Sequence, residues 1–369
     1  MNHLEPGAER AAPLIRIIDA ALRREGGWLP FDRFMALALY APGLGYYANA
    51  SRKFGHMPSS GSDFVTAPEL TPLFGRALAV QVGEALDKTG TDEVWEFGAG
   101  SGALALQLLD ALEARAQRVT RYAIVDLSGT LRERQRHTLA KHAAKVEWLD
   151  ELPESMRGVI VGNEVLDAMP VRLLARVGGQ WFERGVVAHG QGFAWSDRPT
   201  ALRPPVEVDG AHDYLTEIHP QAEAFIATLA DRLKRGAAFF FDYGFPENEY
   251  YHPQRHMGTV MCHRAHRADG DPLVDVGDKD ITAHVNFTGI ALAGQNAGLD
   301  VLGYCSQARF LLNAGILPLM EQATLAERGM AARLIHEHEM GELFKVVGFA
   351  AGQAWEAIGF AAGDRTHTL

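Results

Sequence analysis

Residues 92–112 read DEVWEFGAGSGALALQLLDAL: a short apolar run holding one acid, then three alternate glycines, then leucines at helical spacing. A strand that turns tightly into a helix is the grammar of an α/β sheet fold, and it aims the unpaired N–H groups of the helix start at the turn. Glycine permits the positive backbone angles and the close ligand approach that such a turn uses. The plain alternative is a strand-to-helix turn with no ligand.

Working outward, strand-like and helix-like segments alternate: VWEF, ALALQLLDALEAR, YAIVDL, GTLRERQRHTLAKHA, VEWL, GVIVGN, QAEAFIATLADRLKRG and AAFFFDYG. Such alternation predicts a mostly parallel, Rossmann-like sheet with helices on both faces. LDVLGYCS and ELFKVVGFA supply two more strands. Residues 1–90 read as a helical extension, with helices over 13–25 and from Pro30 to before Pro42, an irregular aromatic segment, and renewed helical spacing from Ala67. The core is assigned to 91–369. Two insertions interrupt it: an antiparallel meander within about 170–220, and a loop-like stretch over 246–286 rich in His, Asp and Pro.

The chain has 369 residues, 47% hydrophobic, with a net charge of -11. It is long enough for a large core, and its acidity argues against nucleic acid as a partner. Two cysteines suggest a reducing compartment, and the N-terminus has neither a secretory nor a transit pattern, so a cytoplasmic location is expected. No stretch approaches the ~20 apolar residues of a membrane span.

Two ligand classes use a glycine turn of this kind. Gly98, Gly100 and Ala103 fit the relaxed dinucleotide pattern, while Gly98, Gly100 and Gly102, with Ala99 between, fit the tighter turn of methyltransferases. Charge separates the two. A pyrophosphate wants amides without a carboxylate nearby. S-adenosylmethionine is cationic, and Glu96 immediately before the turn suits it. Asp126, ending the next strand before Leu127, can take both ribose hydroxyls or cap the following helix. Asp150 lies near where an adenine amino group would sit.

The segment VIVGNEVLDAMPV delivers Asn163 and Glu164 to the carboxyl edge of the sheet, with Asp167 one turn later. Two carboxylates facing a cationic donor suit a second cation, and a planar guanidinium is the natural guest of Glu164. The bland reading is that Asn163 and Asp167 cap a turn.

The ordered segments GSDFVTAPELTPLFG (61–75), EFGAGSGALA (96–105), VGNEVLDAMPV (161–171), DYGFPENEYYHPQRHMGTVMCHRAHR (242–267), DITAHVNFTGI (280–290), SQARFLLNAG (306–315) and ELFKVVGF (342–349) resemble the MidA-type class I S-adenosylmethionine-dependent methyltransferases. This is the family of the mitochondrial complex I assembly factor that methylates an arginine of a complex I core subunit. The resemblance implies a seven-stranded class I methyltransferase sheet, methylation of an arginine side chain of a protein substrate, and a homodimer; methylation of a small molecule or another residue, and a non-catalytic assembly factor that keeps the fold, are the alternatives. It implies a donor site of Glu96, Gly98, Gly100 and Asp126, and an acidic signature of Asn163, Glu164 and Asp167. Asp63, Thr66, Pro68 and Glu69 match its donor-covering segment. Asn286 stands where many relatives carry aspartate.

His252, His256, Cys262, His263 and His266 cluster in sequence but lack paired C-x2-C spacing, so no metal is assigned. A loop over the substrate, with Tyr250, Tyr251, His252 and Arg255 as contacts, is the expectation. His284 is expected to line the same cleft as a proton acceptor, or to be a buried structural histidine.

Overall fold

The computed structural model describes residues 6–49, 65–126 and 129–369, so Asp63 and Leu127 lie outside the described residues. Seven strands form the main run of the central sheet: β1 (Glu93–Phe97), β2 (Arg121–Val125), β3 (Val146–Leu149), β4 (Met156–Asn163), β5 (Leu233–Phe245), β6 (Asp300–Ser306) and β7 (Phe344–Ala351), and the two-residue strand Val285–Asn286 pairs with the end of β5. Their order is β3-β2-β1-β4-β5-β7-β6. The first five run parallel, and β7 is antiparallel to both of its neighbours.

Near-continuous apolar strands follow from burial on both faces. In β1, Val94 joins one core while Trp95 and Phe97 join the other; in β5, Phe239 and Phe241 point one way and Phe240 the opposite way. Helices α4 (Leu73–Thr89) and α5 (Ala103–Ala114) cover the first face. Helices α7 (Pro220–Arg232) and α8 (Phe287–Asn296) cover the second. The expected boundary at residue 90 therefore cuts α4 from the sheet it packs on.

Helices α1 (Pro6–Arg24) and α2 (Phe31–Tyr40) belong elsewhere. They pack on an antiparallel sheet made by Arg172–Val177, Gln180–His189, Gly192–Pro199 and Tyr214–Ile218. Leu29–Pro30 adds to its edge, with Leu29 opposite Val186. Within 246–286 the structure departs from the loop-like expectation. Met261–Arg264, Arg267–Asp269 and Asp280–Thr282 form a small three-stranded sheet, whose Cys262 and Ile281 pack into the α1–α2 core. Alternation there was hidden by charged residues on its exposed face.

Candidate active site

A cavity of about 1440 Å³ opens at the carboxyl edge of β1, β2, β4 and β5, the edge where open α/β sheets bind ligands. At one end lies the glycine turn. Gly98, Gly100 and Gly102 have φ of 64°, 52° and 83°, a region that disfavours every side chain. Glu96, Gly98, Ala99 and Gly100 line the cavity. Gly102 does not: its missing Cβ would face Gln135 at 3.4 Å, so it closes the turn and starts α5. A Cβ on Gly98 would meet Val165 Cγ2 at 3.1 Å, so substitution there strains the turn and presses on the acidic signature.

Glu96 is buried and accepts a hydrogen bond from the Tyr122 hydroxyl at 2.7 Å. Burial, reinforced by the nearby Asp126 charge, pushes its carboxyl up to about 8. Asp126 accepts from Gln135 Nε2 at 2.8 Å, and the same amide nitrogen donates to the Gly100 carbonyl at 3.1 Å. Gln135 thus ties the second strand end to the glycine turn. It was unreadable in the sequence, being one polar residue in a polar helix. Thr66 and Pro68 line the cavity, and α5 and the glycine turn pin their segment: Gln107 Nε2 of α5 donates to the Pro68 carbonyl at 2.7 Å, and the Ser101 hydroxyl of the turn donates to Glu69. Asp150 sits on the rim, largely exposed, with its carboxylate on Arg132 at 2.7 Å.

The acidic signature occupies the next stretch of wall. Glu164 has φ 54° although it is not glycine, a strained geometry held from both sides. Its N–H donates to the Phe241 carbonyl at 2.8 Å, and the N–H groups of Val165, Leu166 and Asp167 converge on Asp242 Oδ2 at 3.1, 2.9 and 3.2 Å. Asn163 Nδ2 donates to Glu164 Oε1 at 2.9 Å. Tyr243 donates its hydroxyl to Asp167 Oδ2 at 2.5 Å. Two buried acceptors on this wall have no hydrogen-bond partner, Asn163 Oδ1 and Asp167 Oδ1.

Burial, then repulsion from Asp167, pushes the Glu164 carboxyl up to about 8. Burial raises Asp167 to about 6, against the Tyr243 hydrogen bond, which lowers it. Asp242 is raised by burial and by both neighbouring acids. Among the described residues no lysine or arginine neutralises Glu164, Asp167 or Asp242. Buried carboxyls left without a cation keep their protons, and a cation docking here would meet acids able to ionise against it.

The insertion closes the far side. Gln254, Arg255, His256, Met257, Thr259 and His263 line the cavity. Tyr250, Tyr251 and His252 do not, contrary to expectation. The two tyrosines are buried, their hydroxyls spent on Glu217, and Tyr214 donates to the His252 carbonyl at 3.2 Å. Arg255 sits 3.7 Å from the Phe245 ring centroid. His284 does reach the cavity, edge-on to Tyr243, with Nδ1 buried and unpartnered. Burial, with Arg255 and Lys345 nearby, lowers its pKa to about 4. Asn286 caps α8, accepting from the Gly289 N–H at 3.3 Å, and takes no part in the cavity wall. Among the described residues the groups spaced to hold a metal are Asp110, Glu113 and His142, outside this site.

The glycine cradle, the buried Glu96 and the acids beyond them fit a cationic nucleoside-like donor at one end and a second cation at the other. Comparison with known proteins agrees on the donor. A family model described as an S-adenosyl-L-methionine-dependent methyltransferase matches residues 77–305. A Burkholderia thailandensis protein crystallised with S-adenosyl-homocysteine is 50% identical, covers 100% of both chains and superposes with a TM-score of 0.95. The Caenorhabditis elegans relative named mitochondrial protein arginine methyltransferase NDUFAF7 homolog is 25% identical over 79% of this chain and 74% of its own. The human protein arginine methyltransferase NDUFAF7 is 26% identical over 85% and 75%.

Proposed function

From the premise that the chain belongs to the S-adenosyl-L-methionine-dependent methyltransferase family, we propose that it transfers a methyl group to an arginine side chain of a protein. The observation that carries the acceptor assignment is the wall of buried acids without a counter-cation, on which Asn163 Oδ1 and Asp167 Oδ1 lack partners. A guanidinium brings five N–H donors and a fixed positive charge, which answers both needs at once.

When bound, S-adenosylmethionine supplies an electrophilic methyl on a sulfonium. Glu96 would neutralise the donor's ammonium, while Gly98 and Gly100 would let the backbone approach closely. Asp126, held in place by Gln135, would take the ribose hydroxyls. Glu164 holds the guanidinium and aligns one nitrogen for in-line attack, a task of positioning and water exclusion. As the new C–N bond forms and the C–S bond breaks, that nitrogen must shed a proton. Asp167, with an unpartnered oxygen and a carboxyl raised to about 6, is the better acceptor. His284, lowered to about 4, is the weaker one.

The test is Glu164→Gln, which keeps shape and removes charge. Methylarginine formation on cell-extract proteins, read with radiolabelled donor, should fall at least 100-fold in kcat/KM while donor affinity stays within a few-fold. Unchanged transfer would overturn the assignment, and a labelled product other than methylarginine would replace the acceptor.

A further inference from the structure

Three tyrosines line the cavity besides the glycine turn and the acids. Tyr40 and Tyr47 come from the end of α2 and the turn after it, and Tyr243 follows Asp242 near the end of β5. All three residues line the cavity. The Tyr40 and Tyr47 rings lie nearly parallel, with centroids 5.6 Å apart and planes 17° from each other.

Each hydroxyl is already committed as a donor. Tyr40 donates to the Ala168 carbonyl at 2.8 Å, Tyr47 to Asp280 Oδ2 at 2.9 Å and Tyr243 to Asp167 Oδ2 at 2.5 Å. What the three residues offer a ligand is therefore ring surface rather than hydrogen bonds. Their positions are fixed beforehand. The turn folds back on α2 through Tyr46 N–H to the Ala38 carbonyl and Tyr47 N–H to the Leu39 carbonyl, each 2.8 Å. Asn49 ties it to the insertion through the Gly277 carbonyl at 3.0 Å. A rigid aromatic wall edged by carboxylates attracts cations through the ring quadrupole, and a flat, weakly hydrated guanidinium stacks on it better than an ammonium does.

We propose that Tyr40, Tyr47 and Tyr243, edged by Asp167 and Asp280, form a subsite that selects a planar guanidinium over an ammonium, so that the N-terminal segment sets acceptor specificity. The inference rests on the arginine reading above and names residues that reading does not need. Tyr47 and Tyr40 are specificity determinants here, since they act on the acceptor and not on the transferred methyl.

The experiment titrates the full chain, saturated with S-adenosylhomocysteine, with ethylguanidinium and separately with n-butylammonium, following both by NMR. Ethylguanidinium should bind at least tenfold more tightly. Tyr47→Leu should remove about tenfold of its affinity and most of the discrimination, with S-adenosylhomocysteine affinity within twofold of the parent as the check on folding. Tyr47→Phe, which keeps the ring, should retain affinity within threefold, and Tyr40→Leu should behave as Tyr47→Leu. Equal binding of the two cations, binding of neither, or an unchanged Tyr47→Leu overturns the subsite. Labelled transfer separates the two claims. Methylarginine formed by a protein that fails the titration sinks only the subsite, whereas a passed titration with no methylarginine sinks only the arginine reading.

Discussion

Asp242 and Asp167, both acidic and both buried, are joined through the backbone: Oδ2 of Asp242 accepts the Asp167 N–H at 3.2 Å and those of the two residues before it. The carboxylate organises the turn that carries Glu164, and it does so beside two acids that repel it. The arrangement persists because three converging N–H groups would otherwise be buried without a partner, and each such loss costs roughly 1–3 kcal/mol.

Asp242→Ala should therefore destabilise the protein by about 2–4 kcal/mol, less than three full losses because repulsion with Glu164 and Asp167 is relieved. Denaturant unfolding measures it. Asp242→Asn keeps an acceptor oxygen and should lose less than half as much. A neutral result for Asp242→Ala would mean the turn holds itself.

Stability of the ligand-free protein should fall with rising pH. Glu96 and Glu164 are raised to about 8 and Asp167 to about 6, so the folded state holds these protons more tightly than the unfolded chain. Their contribution is full below the unfolded carboxyl range near ~4 and is lost as pH passes through 6 to 8. Thermal midpoints at pH 5 and pH 9 test the sign. S-adenosylhomocysteine, carrying an ammonium to Glu96, should be bound with proton release at pH 7, visible by calorimetry in buffers of different ionisation enthalpy.

Gly98→Ala should weaken donor affinity about tenfold or more, since a left-handed non-glycine residue costs roughly 1–2 kcal/mol and its Cβ would crowd Val165. Pairing it with Val165→Ala should recover only the crowding part. Full recovery would show that backbone strain is irrelevant.

Asn286→Asp should change neither methyl transfer nor donor affinity, and unfolding free energy should move by less than ~1 kcal/mol because Asn and Asp cap helices about equally well. Asn286→Ala should cost about 1 kcal/mol. A large activity loss in Asn286→Asp with normal stability would place this position in the catalytic machinery after all.

The sequence disclosed what local pattern encodes. The glycine turn, the strands flanking it and the Gly178–Gly179 meander are periodicity and turn chemistry, and Glu96, Asn163, Glu164 and Asp167 come together in one cavity. Asp242 stayed hidden because FFFDYG reads as a buried strand, and the strand's register, not its composition, turns the acid toward the β4 turn. Tyr40 and Tyr47 reach the site only by tertiary packing of the extension, Tyr40 against Ala168, 128 positions away, and Tyr47 against Asp280, 233 positions away. Tyr250 and Tyr251 misled for the converse reason: aromatic residues beside histidines suggested a ligand, and the partner was Glu217 in the core.

The place of β7 between β5 and β6 has a consequence for how the chain reaches this state. β5 pairs with a strand that follows it by about a hundred residues, and β6 joins the sheet only through that same strand. Until residues 344–351 dock, β5 presents an open hydrogen-bonding edge, and β6 has no sheet to join. Such a chain resembles a half-closed zip whose slider is made last. A nonsense mutation upstream of Phe344 should therefore yield an aggregating, rapidly degraded product rather than a shortened enzyme.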